Sequence, residues 1–421
     1  MAEKPTSIVP LLSRALHRIR ATPPRIIASP PTQPRRAAVA LIIRVVPPPH
    51  AVFPDEKVSQ AFSLADFFEL DWVNDPAARP EILFLQRENP APEDSGMSRL
   101  RNTNEAHVAF PGGRTEADDE GGLYTAMRQT WEEIGIDLAE KDYTCIGQLD
   151  DREITTSLGK RLLMILTPFV FLQVTPQALP PDPTASTTLH WTPLASLVSA
   201  HPPPKWSTVT VDAASRIAPK HSTALRLLVQ VLVGSMEFPA VIVEPSSLPS
   251  VTPDGKPNVS QDKLEKGYVS RSSRPQQLKL WGLSLGMALD LMSYMVHPAP
   301  RDISDGTSSP LSPIMQLPYQ TGAEAMRMDI VAPSLASVFP RFSYPDVNFW
   351  IWVFGKRYRE VVRGWETSVR GGGINDRRIN WSGSALSTFY AAIRKALVVV
   401  IVARALGVLF GLAFASWWVF R

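Results

Sequence analysis

The stretch from Ala109 to Leu138, AFPGGRTEADDEGGLYTAMRQTWEEIGIDL, constrains the fold more than any other part of the 421-residue chain. Gly112 and Gly113 permit a turn that a Cβ would obstruct, and an acidic loop from Glu116 to Glu120 follows. Beyond it, Leu123, Ala126, Met127, Thr130 and Ile134 have the spacing of a helix with one buried stripe. Gly135 stands where a C-cap is expected. On the polar face Gln129, Glu132 and Glu133 lie at i, i+3 and i+4, so their side chains converge within one turn. Two adjacent carboxylates facing a Gly-rich loop with free carbonyls are hard oxygen donors of the kind Mg2+ or Mn2+ prefers. The Glu-Glu pair by itself would be an ordinary solvated helix face; the loop and the spacing point to a site.

The same stretch resembles the box of the Nudix hydrolase family, G-x5-E-x7-R-E-U-x-E-E-x-G-U, where U is bulky and apolar. Arg128, Glu132, Glu133, Gly135 and Ile136 match, and Glu120 has the required separation from Arg128. Gly113 lies one residue further from Glu120 than the pattern asks, Thr130 replaces an apolar residue, and Gln129 replaces a glutamate. The resemblance implies an α+β fold, a Nudix α/β/α sandwich with a mixed sheet. It implies a diphosphatase that cleaves nucleoside-diphosphate-X compounds with Mg2+ or Mn2+. Gly113, Glu120, Glu132 and Glu133 are the implied metal ligands; Arg128, Gln129 and Glu132 are the implied catalytic group, with Arg128 orienting the glutamates. An amide offers an oxygen but accepts no proton at neutral pH. Loss of a general base costs a factor of roughly 10² to 10⁴ in rate, so Gln129 implies slow chemistry. The alternative is a Nudix-derived module that binds a nucleotide or a protein at a membrane.

Flanking segments resemble the branch of the family that cleaves coenzyme A. Leu100, Arg101, Val108, Phe110, Pro111, Gly112 and Gly113 follow much of its L-R-x-H-x-G-x-V-x-F-P-G-G approach to the box. The strand with Thr167 to Val170, the turn Trp191 to Leu194 and the helix from Leu280 to Met295 match its downstream part. Arg87, Arg101 and Phe110 are the candidate substrate-binding residues. No acid lies between Pro183 and Trp191, where relatives often carry one, which leaves Asp182, Asp150 and Asp151 as substitutes. His190 reads as a structural residue or a ligand.

Forty-three basic against 40 acidic residues give a net charge of +3, which does not point to a polyanion-binding protein. The arginines near the N-terminus are not interleaved with aromatics, so nucleic acid is not an expected partner. Cys145 is the only cysteine, which excludes an intramolecular disulfide and a Cys-rich metal site. Forty prolines predict much irregular structure.

Residues 1–35 read as a basic disordered tail or a targeting segment, although Ile8, Leu11, Leu12, Ala15, Leu16 and Ile19 have helical spacing. The β-branched run from Ala37 to Val46 reads as a buried strand. A Nudix domain is expected over 36–295, with a disordered insertion at about 202–275 in which Ser222 to Val233 and Val241 to Val243 are ordered. Residues 296–395 read as a Pro/Ser-rich linker with an aromatic helix at about 345–366, either packed on the domain or lying at a lipid interface.

Residues 396–420 predict a transmembrane helix. As a helix this run extends about 37 Å, enough for a hydrocarbon core of about 30 Å. Arg404 is expected to snorkel toward Arg394 and Lys395, and Trp417 and Trp418 to mark the other interface. The expected topology is a single-pass tail anchor with the body facing the cytosol, in the mitochondrial outer membrane or the endoplasmic reticulum. The expected partners are a nucleotide-diphosphate small molecule and, through this helix, the lipid bilayer.

Overall fold

Strand β1, Arg36–Val46, sends Ala37, Leu41, Ile43 and Val45 to one side and Ala38, Ala40 and Ile42 to the other, all buried. A strand apolar on both faces must be covered on both. The computed structural model describes residues 8–29, 35–51, 63–87, 105–155, 162–198, 204–213, 222–244, 277–295, 341–357, 360 and 384–421. Among them the other strands are β2 Arg79–Arg87, β3 Glu105–Ala109, β4 Gly112–Arg114, β5 Tyr143–Gln148, β6 Arg152–Thr155, β7 Leu162–Gln173, β8 Thr187–Pro193, β9 Trp206–Asp212, β10 Ser235–Val243, β11 Gln277–Trp281 and β12 Arg341–Phe342. The helices are α1 Val9–Ala21, α2 Leu64–Glu69, α3 Asp71–Asn74, α4 Gly122–Ile134, α5 Leu194–Val198, α6 Thr223–Val233, α7 Gly282–Met295, α8 Pro345–Phe354 and α9 Ser384–Val419.

The strands form one mixed sheet in the order β12-β10-β11-β3-β2-β1-β7-β5, with β4 on β1, β6 on β7, β8 on β2 and β9 on β10. β1 with β7 and β11 with β3 are parallel; the other pairs are antiparallel. One face packs on α4 through Ala126 and Ile134, and the other on α1 and α7 through Leu12, Leu16, Leu289 and Met292. The fold is α+β, with helices covering both faces of the sheet.

The segment read as a basic tail contains α1, and its apolar spacing decides its place. Val9, Leu12, Ala15, Leu16 and Ile19 are buried in the main core, so the tail reading does not hold over these residues. The chain after α1 is fastened by the β5–β6 turn: Arg25 N donates to Asp150 Oδ1 at 2.9 Å, and Ile27 N to Asp151 Oδ2 at 3.0 Å. Asp151 is fully buried and also accepts from Arg36 at 2.6 Å, Thr167 at 2.8 Å and Gln148 at 3.0 Å. Asp150 and Asp151 therefore serve the N-terminal segment, not the site.

Within the region read as an insertion, β9 and β10 extend the sheet, with α6 between them in the chain; β10 pairs with β9, β11 and β12. A smaller core forms where Val233, Met236 and Phe342 meet Val347 of α8 and Phe389, Ile393 and Val400 of α9. Over Ser387–Val419, α9 is long and apolar enough to cross a membrane. Arg404 pairs with Asp346 of α8 at 2.7 Å and donates to the Leu232 carbonyl. A charge on an apolar helix takes whatever partner stands nearest, and here α8 and α6 supply one.

Candidate active site

The Gly-Gly turn is forced by β1. Gly112 has φ +146°, and a Cβ on it would lie 2.3 Å from the Ala38 carbonyl oxygen. Gly113 is needed for another reason: a Cβ there would meet Gln129 Oε1 at 2.0 Å. Helix α4 follows, and its buried positions are Thr125, Ala126, Thr130 and Ile134. Leu123, expected in that stripe, is exposed, because the helix begins beside it at Gly122 and Thr125 turns inward to hydrogen-bond the loop. Gly135 ends the helix in the left-handed conformation at φ +66°, as its position predicts.

This helix and loop bring Arg128, Gln129, Glu132, Glu133 and Gly113 together. Arg128 Nη1 donates to Glu132 Oε1 at 3.0 Å and to Oε2 at 3.2 Å, and Gln129 Nε2 donates to Glu132 Oε2 at 3.0 Å. Glu133 is gripped by Arg87 from the end of β2, through Nε and through Nη2 at 2.6 Å. Arg87 Nη2 also approaches the carbonyl oxygens of Gly112 at 3.4 Å and Phe110 at 3.5 Å. A guanidinium thus occupies a cradle made of one carboxylate and two loop carbonyls.

The loop partner of Arg128 is Asp119, not Glu120. Asp119 Oδ1 and Oδ2 accept from Arg128 Nε at 2.7 Å and Nη2 at 2.8 Å, while Glu120 is exposed. Asp119 further accepts from the Glu116 N–H at 2.9 Å and the Thr125 hydroxyl at 2.8 Å. The Arg128 guanidinium, with these two donors, holds the Asp119 carboxyl well below the usual carboxylate range, and Asp119 in turn raises Arg128. Sequence reasoning missed Asp119 by counting back from Arg128. Counting forward from Gly113 finds it, with five residues between.

The remaining candidates lie as follows. Phe110, expected at the substrate, is buried with its ring 5.0 Å from that of Phe84, so it offers the site its carbonyl and not its ring. Arg101 lies outside the described residues. Asp182 backs the end of α4, its N–H donating to the Ile134 carbonyl at 2.9 Å. His190 is half-buried, hydrogen-bonded to Gln86 Oε1 at 3.1 Å, and burial lowers its pKa.

The donor set can be tested against Mg2+ or Mn2+. Among the described residues no three His, Cys, Asp or Glu side chains are placed to hold a metal ion by themselves. Glu133 and the Phe110 and Gly112 carbonyls are hard oxygens that already surround a cation, and Gln129 and Glu132 follow at helical spacing on the same face of α4. Mg2+ is held by one or two carboxylates when substrate phosphates complete its shell, so these residues fit it.

No family model matches the sequence. The chain is 29% identical over 228 residues to an uncharacterized protein of Schizosaccharomyces pombe, 53% of this chain and 60% of that protein. It is 37% identical over 60 residues to the mitochondrial coenzyme A diphosphatase NUDT8 of Mus musculus, 14% of this chain and 29% of that one. The chain thus spans less than two thirds of either relative. Solved structures resembling it include a C. elegans Ap4A hydrolase binary complex, at 16% identity and TM-score 0.23 over 39% of this chain and 82% of that one. Another is the NUDIX domain of Shewanella oneidensis NrtR with ADP ribose, at 14% identity and TM-score 0.22 over 41% and 77%. At such scores the likeness carries no argument about activity.

Proposed function

We propose that this chain is a membrane-tethered Nudix-type hydrolase that cleaves the diphosphate bond of a nucleoside-diphosphate-X compound, such as coenzyme A or a nucleotide derivative. The observation that carries the reading is the grip of Glu133 and the Gly112 and Phe110 carbonyls on the Arg87 guanidinium, with Glu132, bonded to Gln129 and Arg128, as the neighbouring carboxylate of α4. The match of the box residues and the short similarity to a coenzyme A diphosphatase support it. The apolar length of α9 supports the tether.

Glu132, Glu133, Gln129 and the carbonyls of the Gly113 loop would hold Mg2+ or Mn2+. When bound, the ion supplies positive charge to the diphosphate and eases ionisation of the attacking water. Arg128 keeps Glu132 in place through two hydrogen bonds. Glu132 is the exposed carboxylate of the pair and accepts the proton of the attacking water, a task Gln129 cannot perform. Arg87 swings from Glu133 to the diphosphate oxygens, where its fork matches phosphate geometry. The P–O bond then breaks to give a nucleoside monophosphate and phosphorylated X.

A second reading, nucleotide binding without turnover, is favoured by Gln129 and by the arginine on each glutamate. Both are tested on the full chain in detergent with a panel of nucleoside-diphosphate compounds and Mg2+ or Mn2+. A metal-dependent product that disappears in Glu133→Gln and increases in Gln129→Glu is expected. No product above the Glu133→Gln control, with nucleotide binding retained, would replace the first reading by the second.

A further inference from the structure

We infer that α8 is a second contact with the bilayer, its exposed aromatic face lying at the headgroup and upper acyl level beside α9. The body is then held at a fixed angle to the membrane and does not swing on its anchor. The inference rests on the membrane reading of α9 proposed above.

The length of α9 that is free of the body is the first argument. Phe389, Ile393, Leu397 and Val400 are buried against the smaller core, so this part of the helix belongs to the body. Residues 405–420 are exposed on every side. They extend about 24 Å at 1.5 Å per residue, against a hydrocarbon core of about 30 Å. The deficit of about 6 Å is roughly one helical turn, so the hydrocarbon edge reaches back to Val402 and Arg404. A span anchored here draws the neighbouring part of the body toward the acyl boundary.

At that level Arg404 is already satisfied by the body. Its Nη2 meets Asp346 Oδ1 at 2.8 Å and Oδ2 at 2.7 Å, its Nη1 meets the Leu232 carbonyl, and its guanidinium lies 4.3 Å from the Tyr344 ring centroid. A paired and hydrogen-bonded charge tolerates the membrane boundary; an unpaired one does not. Asp346 is in the first turn of α8, so the ion pair sets where α8 begins relative to the membrane.

The exposed face of α8 is the third argument. Val347 is buried, while Phe349, Trp352 and Val353, at i, i+3 and i+4, share a face that is 56%, 52% and 36% exposed. Val398 and Val402 of the adjoining α9 are also exposed. Aromatic side chains on an apolar helix face belong at the membrane–water boundary, where interfacial helices sink about 5–10 Å. That depth brackets the deficit worked out above. The exposed Lys356 and Arg357 follow the helix, where cations fit anionic headgroups.

The test uses the full-length protein with Cys145→Ser, reconstituted in phosphatidylcholine vesicles containing phosphatidylserine. An environment-sensitive fluorophore is placed on Trp352→Cys, and separately on Phe349→Cys, Phe410→Cys and Leu179→Cys. We expect lipids brominated near the headgroup to quench labels 352 and 349 strongly, deeply brominated lipids to quench label 410, and neither to quench label 179. Quenching at 410 without quenching at 352 and 349 would overturn the inference and leave the anchor standing. That outcome would assign the face to a protein partner or a second copy. No quenching at 410 would remove the membrane reading and this inference together.

Discussion

Replacing Asp119 by Ala removes two of the three anionic contacts that Arg128 makes to the loop before α4, the third being to Glu116. Arg128 is 16% exposed at its side chain and Asp119 2%, so the pair is mostly withdrawn from water. Charged hydrogen bonds contribute about 1.5–3 kcal/mol each, and breaking a buried pair by removing one partner costs about 3–5 kcal/mol. Arg128 keeps Glu116 and Glu132, whose side chains are 65% and 52% exposed and screened by solvent, which reduces the loss. The expected destabilisation is about 2–3 kcal/mol, or a fall in Tm of roughly 4–12 °C for a body of this size. Glu120→Ala, one position away and exposed, should stay within about 0.5 kcal/mol of the parent. Thermal unfolding followed by tryptophan fluorescence, on the full chain in detergent, measures both. The pH dependence adds a check with a defined sign. The folded carboxyl of Asp119 is depressed, so its contribution is complete above the unfolded value of about 3.9 and declines as pH falls toward the folded value. The Tm gap between parent and Asp119→Ala should therefore narrow in acid. A Glu120→Ala fall as large as that of Asp119→Ala, or a gap unchanged on acidification, would refute the assignment.

Asp151→Ala should release the segment after α1, since it strips Arg36, Thr167 and the Ile27 N–H of a fully buried acceptor. We expect a cost of about 3–5 kcal/mol and faster tryptic cleavage at Arg25; unchanged cleavage would show that α1 packing alone holds the segment. His190, whose pKa burial lowers, should titrate below the ordinary imidazole value of about 6.5, as read from its ring proton shifts by NMR. Its protonation then destabilises the fold as pH falls, and a titration at or above that value would refute the placement.

Much of the fold was legible wherever one periodicity dominated. From Ala37 to Ile43 the β1 run has no polar residue, and a strand without a polar face has to be central. Helix α4 was legible from its stripe and its terminating glycine, although Leu123 and Thr125 exchanged roles. That exchange follows from a hydroxyl that bonds the loop, which apolar counting does not register. The prolines and arginines around α1 obscured a buried stripe, because a short amphipathic helix gains its stability from packing and not from its own composition. The site was legible in part. The clustering of Gln129, Glu132 and Glu133 follows from helical spacing, whereas the grip of Arg87 on Glu133 joins residues 46 apart in sequence.

The sequence by itself determined the helix with its acids, the Gly-Gly turn, the central strand and the apolar C-terminal helix. Each of these rests on local geometry, on a period of 3.6 or 2, a missing Cβ or a length. Tertiary structure alone decided which charges from different elements meet. Asp119 and not Glu120 reaches Arg128, Arg87 stands in the cation cradle, and Arg404 is claimed by Asp346. Ion pairs depend on distances of a few ångströms between elements far apart in the chain, and only the packed sheet and its helices set those distances.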